Sequence, residues 1–254
     1  MPDPLAPTAS SVPGESSPVS VAQLRTHCLT CSMREMCLPV GLAMDELKQV
    51  DAFVAVRKKL SKGERLYSTG QPFSALYAVR VGSLKTVVPT DDGREQVAGY
   101  HMRGEIIGLD GIGLDRHGCD AVALEDSEAC VLPFGELESL ARLVPALQRN
   151  LHRFLSREIA RDHGLMLMLG SLRTEERLAT FLLNLSERYA RRGYSPVEFV
   201  LRMTREEIGS YMGLTLETVS RLFSRFQRQG MIQVQGRTIR ILDIDALRRV
   251  CGAR

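Results

Sequence analysis

Three thiols lie within ten residues of one another, at Cys28, Cys31 and Cys37, in the run His27-Cys-Leu-Thr-Cys-Ser-Met-Arg-Glu-Met-Cys37. A Cys-x-x-Cys pair sets two sulfurs on one tight turn, where both can bind one metal centre. The five-residue gap before Cys37 lets the chain loop over that centre. Thiolate ligands suit zinc or an iron–sulfur cluster, and both normally want a fourth cysteine. A structural zinc site usually shows a second close Cys-x-x-Cys, which this chain lacks, and spacing alone leaves the two metals open. A redox dithiol is a third option, weakened because no βαβ pattern surrounds the motif. Three further thiols lie at Cys119, Cys130 and Cys251. Cys251, near the C-terminal end, reads as a spare surface or packing thiol.

A second group of residues suits a different chemistry. Met203-Thr-Arg-Glu-Glu-Ile-Gly-Ser-Tyr-Met-Gly-Leu-Thr215 leads into Leu216 to Gln229. Thr204 and Glu207 form a capping box that starts one helix, Gly213 ends it, and Thr215 caps the next. Two short helices joined through a glycine turn make a helix-turn-helix. On the second helix, Val219, Leu222, Phe223 and Phe226 keep core spacing. Glu217, Ser220 and Arg221 share another face, continued by Arg225 and Arg228. Such a face can enter a major groove, with Arg221 donating to guanine O6 and N7 and Glu217 accepting from a cytosine amino group. Beyond it, Ile232 to Ile241 turns at Gln235-Gly236 and reads as a wing hairpin, with Arg237 placed to touch a phosphate.

Charge agrees with a polyanionic partner. Residues 171–254 carry fifteen arginines, no lysine and nine acids, a net of +6, whereas residues 1–170 carry a net of −3. A basic C-terminal third of this kind favours nucleic acid. Hydrophobic content of 44% and charged content of 25% are ordinary for a globular protein. No apolar run approaches the roughly 18–20 residues that cross a bilayer. The opening MPDPLAPTASS carries an acid and prolines where a signal peptide needs basic and then apolar residues, so a cytoplasmic protein is expected.

These groups need positioning, and the pattern supplies the elements. Residues 1–20, rich in Pro, Ser and Ala, read as a disordered tail. From Leu47 to about Phe134, β-type runs alternate with glycine turns: Ala75 to Val81 before Gly82, Leu84 to Val88 before Asp92-Gly93, then Gln96 to Tyr100. Regular short strands of this kind suggest an antiparallel barrel or roll. Ala146 to Leu169 reads as one long amphipathic helix. Its narrow seam of Leu151, Leu155, Ile159, Met166 and Leu169 suits helix pairing, and Asp162 occupies a seam position that calls for an apolar residue. Arg149, Arg153, Arg157 and Arg161 fall on its other sides. Thr174 to Tyr189 gives a further amphipathic helix.

The chain resembles the CRP/FNR superfamily of bacterial transcription regulators, and within it the oxygen-sensing FNR/Anr branch. The likeness runs from about Leu24 to Leu247. It rests on Cys28–Cys31–Cys37, on Leu76-Tyr-Ala-Val-Arg with Gly82, on Glu175-Glu-Arg-Leu-Ala, on Met203-Thr-Arg and on Leu214-Thr-Leu-Glu-Thr-Val-Ser-Arg-Leu222. It implies an α+β chain: a disordered tail over 1–20, a cluster-binding arm and cyclic-nucleotide-binding-like antiparallel β-roll over 21–145, a dimerisation helix over 146–170 and a winged helix-turn-helix over 171–254. It implies a homodimer that binds double-stranded DNA, is not an enzyme, and holds one oxygen-labile 4Fe–4S cluster per subunit. The family's fourth ligand lies just before a Pro-Phe pair, which Cys130 in Ala129-Cys-Val-Leu-Pro-Phe134 matches and Cys119 does not. His27 is expected to face solvent. The loop Thr90, Asp91, Asp92, Gly93, Arg94 matches the position of a loop that contacts RNA polymerase. Cyclic-nucleotide receptors of the superfamily carry Gly-Glu followed by Arg with Ser or Thr. Gly104-Glu105 is present here, but acids follow instead of that arginine, so no cyclic nucleotide is expected.

Overall fold

The glycine-punctuated apolar runs fold as two facing antiparallel sheets in a computed structural model, which describes residues 28–54, 56–90, 93 and 95–252. The expected tail, His27, Asp91, Asp92 and Arg94 lie outside the described residues. The cysteine arm, two short 3-10 turns over Cys28–Thr30 and Arg34–Met36, leads into α1 (Met44–Phe53). The roll follows as β1 (Val56–Leu60), β2 (Arg65–Tyr67), β3 (Ala75–Val81), β4 (Ser83–Pro89), β5 (Glu95–Met102), β6 (Ile106–Ile107), β7 (Asp120–Ala123) and β8 (Ser127–Pro133). One sheet has the order β1-β8-β3-β6 and the other β2-β7-β4-β5. The expected hairpin joins β4 to β5, with Pro89 opposite Glu95.

Strand alternation sorts the side chains of the first sheet into two layers. Ala75, Tyr77, Val79 and Ala129 fill the interior between the sheets, with Leu66, Leu84 and Ala121 opposite. Leu76, Ala78, Cys130 and Leu132 face outward and are covered by the arm, α1, α2 (Phe134–Leu143) and the start of the long helix. Both faces of β3 are buried for this reason, and its residues Ala75 to Val79 show no polar alternation. Each fully buried leucine of this layer, such as Leu76 or Leu147, contributes about 1.5–3 kcal/mol.

The long helix α3 spans Pro145–Ser171, with proline in its first turn where the missing N–H costs nothing. Its 27 residues reach roughly 40 Å at 1.5 Å per residue. After it come α4 (Thr174–Ala190), β9 (Glu198–Val200), α5 (Arg205–Met212), α6 (Leu216–Arg228), β10 (Ile232–Gln235), β11 (Thr238–Ile241) and α7 (Ile244–Val250). Their core is continuous with Val87, Val97, Tyr100 and Met102, so the C-terminal unit packs on the outside of the second sheet. The wing turns at Gly236-Arg237, one residue later than the sequence reading, because Gly236 supplies the positive φ of 60°. A third strand, β9, pairs with β11 and was not foreseen; at three residues it carries no pattern.

Candidate sensor site and nucleic-acid interface

Cys130 lies in the middle of the first sheet, between Arg57 of β1 and Ala78 of β3. The parity of its position turns its thiol to the outer layer, where the arm lies. Cys28 and Cys130 are buried in that layer, and Cys37 packs against it. The four sulfurs feel one another electrostatically. Burial first, and then the proximity of Cys130, Asp51 and Cys31, together push the Cys28 thiol up to about 12. Burial also pushes Cys37 well above the ordinary thiol range, with Cys28, Cys130 and Cys31 adding to it. Cys119 belongs to the interior layer instead, beside Asp110 and Tyr67. Among the described residues, no three His, Cys, Asp or Glu side chains are gathered as for a single metal ion.

The arm is tied to the long helix. Asn150 of α3 is 3% exposed, and its Nδ2 donates to the carbonyls of Leu38 (2.9 Å) and Val40 (2.8 Å), just past Cys37. The Cys28 N–H donates to the Asp51 carboxylate of α1. Neither Asn150 nor Asp51 stands out in the sequence, because each matters only through a carbonyl or amide far along the chain.

Along α3 the expected seam divides in three. Leu151 packs against the outer layer of the roll, and Leu169 reaches the turn at Gly213, 3.1 Å from where a Cβ would stand. Leu155 is half-buried. Ile159 and Met166 remain 56% and 61% exposed, with Leu167 beside them, and Asp162 is exposed between. Arg161 does not lie on a solvent side with the other arginines. Its guanidinium turns inward to Glu158 (2.9 Å), to His101 Nδ1 (3.4 Å) and toward Glu105 (3.7 Å), leaving Asp162 without an ion-pair partner among the described residues.

The helix-turn-helix forms as its caps dictate. Thr204 accepts from the Glu207 N–H (3.1 Å) while Glu207 accepts from the Thr204 N–H (2.6 Å). Gly213 closes α5 at φ 64°, and Thr215 caps α6 by accepting from Thr218. A Cβ on Gly209 would stand 2.5 Å from the Leu214 carbonyl oxygen, so the turn closes tightly on α5. Val219, Leu222, Phe223 and Phe226 are buried, and Glu217, Ser220, Arg221 and Arg228 are exposed on the other face. Glu217 is held below the usual carboxylate range by the backbone N–H at the helix start, then by Thr215 and Arg221. Arg225 is half-exposed but its guanidinium is paired with Glu175 of α4, which takes it from the row that faces a groove. Arg237 is exposed in the wing turn.

The space between α3 and the roll is a cavity of about 390 Å³, bounded by Ile106, Ile107, Leu155 and Ile159 and by the acids Asp110, Glu158 and Asp162. No Lys or Arg among the described residues lines it. Glu105, the acid of the Gly-Glu pair, is committed elsewhere: Arg188 (2.7 Å), Arg192 (2.5 Å) and Arg161 converge on its carboxylate. No described helix is long and apolar enough to cross a membrane.

Two family models match the chain, a cyclic nucleotide-binding domain over residues 57–143 and a Crp-like helix-turn-helix domain over residues 176–250. The transcriptional regulatory protein btr of Bordetella pertussis is 48% identical over 89% of this chain and 93% of its own length. The transcriptional activator protein anr of Pseudomonas aeruginosa is 43% identical, covering 91% and 94%. The fumarate and nitrate reduction regulatory protein of Escherichia coli is also 43% identical, covering 89% and 90%. Among solved structures, FixK2 from Bradyrhizobium japonicum matches with a TM-score of 0.72 at 30% identity, over 77% of this chain and 96% of that one. With a roll, a long helix and an exposed recognition helix in this order, the chain belongs to the FNR/Anr branch of the CRP/FNR family, and is a DNA-binding transcription regulator, not an enzyme.

Proposed function

We propose that this regulator responds to oxygen through one 4Fe–4S cluster per subunit, held by Cys28, Cys31, Cys37 and Cys130, and acts as a homodimer in the cytoplasm. One observation carries the reading: Cys130, ninety-three residues beyond Cys37, is buried in the same outer layer as Cys28, with Cys37 packed against that layer. Buried thiols that repel one another as anions stay protonated until a cationic core compensates them, which is the behaviour of a thiolate cradle for metal. Soft sulfur donors fit iron and sulfide, and the apolar outer layer excludes water around them. When bound, the cluster supplies an oxygen-labile centre. The chain's own part is to hold the arm against α3, where Asn150 fixes the carbonyls after Cys37.

The exposed Ile159 and Met166 are the surface on which a second copy pairs in parallel, so that Asp162 faces Asp162. The dimer sets two α6 helices on an inverted repeat of TTGAT half-sites about one helical turn apart. Arg221 reads the guanine and Glu217 the paired cytosine, with Ser220 between them and Arg228 and Arg237 on phosphates. Arg225, held by Glu175, contributes charge near the backbone but no base reading. RNA polymerase meets the loop from Thr90 to Arg94, of which Asp91, Asp92 and Arg94 are outside the described residues. Cyclic nucleotide is not expected as the effector, because acids follow Gly104-Glu105 in place of the receptors' arginine and the cavity between α3 and the roll is lined by acids without Lys or Arg among the described residues.

Strictly anaerobic purification, with iron and sulfide analysis and a visible spectrum, tests the reading. About four irons and four sulfides per subunit are expected. Changing any of Cys28, Cys31, Cys37 or Cys130 to Ser abolishes reconstitution, while Cys119→Ser and Cys251→Ser keep it. A colourless, zinc-loaded protein overturns it.

A further inference from the structure

We infer that the turn from Met102 to Glu105 mechanically links the cysteine arm to the two helices that govern DNA binding, with Arg103 and Glu105 as positioning residues. The inference rests on the proposed cluster for what moves the arm, but its first test does not require the cluster.

On one side the turn touches the arm directly. A Cβ on Gly104 would stand 3.1 Å from Met33 Cε and 3.2 Å from Met36 Cβ, so the arm lies on this turn with no space between. Met33 and Met36 are two residues past Cys31 and one before Cys37. The Arg103 guanidinium donates to Ser32 Oγ at 2.7 Å and to the Tyr194 hydroxyl at 3.2 Å, bridging the arm to the segment after α4.

On the other side the turn holds both helices. The Glu105 side chain is 15% exposed, and Arg188 and Arg192 that meet it are 12% and 8% exposed. Arg192 Nε also donates to the Arg103 carbonyl (2.8 Å), and Arg188 donates to the Tyr100 carbonyl. Arg161 of α3 completes the set, one residue before Asp162. The turn itself is stiff: the Glu105 N–H donates to the Met102 carbonyl (3.0 Å), the Gly104 N–H to Val79 (2.8 Å), and the carboxylate accepts from Met102 N–H (3.0 Å). A carboxylate shared by buried guanidiniums cannot shift alone, because each arginine left behind would be an uncompensated buried charge. Movement of the arm at Ser32, Met33 and Met36 therefore carries Glu105 and, with it, the end of α4 and the middle of α3. In the superfamily's nucleotide receptors the Gly-Glu pair belongs to the phosphate site; here the same position serves as a joint.

Hydrogen exchange on the cluster-free, full-length chain is the first test. Ser32→Ala and Arg103→Met speed exchange by about tenfold both in the Cys28–Cys37 arm and around Arg188–Arg192, leaving β7 unchanged. A rise confined to the arm overturns the link. The second test is the ratio of DNA affinities between cluster-loaded and cluster-free protein. In Arg103→Met this ratio falls to within about twofold while the visible spectrum matches the parent, and Arg103→Lys, which keeps a donor toward Ser32, restores part of it. An unchanged ratio overturns the proposal. A parent without a cluster sinks the cluster reading alone, and the exchange result still decides the link. Glu105→Gln follows the same pattern; should it fail to fold, Arg103→Met decides.

Discussion

Around Cys28 and Cys130 the polar atoms are sunk among leucines and valines, and the Cys28 thiol is pushed far above its ordinary pKa. Along α6 the reverse holds: Glu217, Ser220, Arg221 and Arg228 stand in water on a helix whose other face is packed with Phe223 and Phe226. Burial amplifies every charge in the first region, so its chemistry is set by desolvation and by which groups are neighbours. Exposure weakens every charge in the second, so reading there depends on geometry at the groove and on salt. The sensing half should answer to pH, and the reading half to ionic strength.

Acid titration is expected to show the largest effect. Burial, helped by Arg161, lowers His101 from its ordinary 6.5 to about 3, so the folded state keeps it neutral while the unfolded chain takes a proton. Its contribution is present above pH 6.5 and is lost as pH falls toward 3, by on the order of 5 kcal/mol. Urea melts of the cluster-free chain across that range should steepen in the parent and flatten in His101→Gln, and parallel curves would refute the assignment. At the other limb, Cys28 raised from 9.0 to about 12 keeps a proton that the unfolded chain has lost. That contribution therefore fades as pH climbs from 9 to 12.

Next is the exposed acid of α3. In the proposed dimer, two Asp162 carboxylates about 7 Å apart would repel by roughly 2–3 kcal/mol at an effective dielectric near 20. Asp162→Ala is expected to dimerise and bind DNA without the cluster, even in air. Sedimentation of that variant at micromolar concentration decides it, and a monomer like the parent would show that the acid is not the brake.

The smallest effects belong to the reading half. Arg221→Ala is expected to cost about 1–3 kcal/mol per half-site and to relax selectivity at one base pair. Arg237→Ala should weaken all sequences alike and reduce the salt slope by about one. Gel shifts with single-base variants over a salt series separate the two, and a uniform loss in Arg221→Ala would make it a phosphate contact.

The same contrast explains what the sequence could tell. The helix-turn-helix was legible because its signals are local: the Thr204–Glu207 box, Gly213 and Thr215 lie within a dozen residues. The roll was legible in outline from β3, β4 and β5, whose glycine turns punctuate them. Cys130 came only through family resemblance, because its orientation depends on strand parity and on pairing with Arg57 and Ala78. Arg161 and Arg225 were read as facing solvent or DNA, and their actual partners, Glu105 and Glu175, lie about fifty residues or more away. Glu105 stands out in the sequence only as half of the Gly-Glu pair of the nucleotide receptors, since nothing local announces three arginines.

Asn150 has a further consequence, for how the protein recovers. Ordering a free segment costs about 1–2 kcal/mol of backbone entropy per residue. The arm between Cys28 and Val40 has already met that cost in folding, through Asn150 on Leu38 and Val40 and through the buried Met33 and Leu38. In the absence of the proposed cluster, the arm that carries Cys28, Cys31 and Cys37 keeps its fold against α3 instead of dispersing into solvent. Under that proposal reloading is a capture step on a standing arm, and one polypeptide is expected to serve through many cycles without being remade.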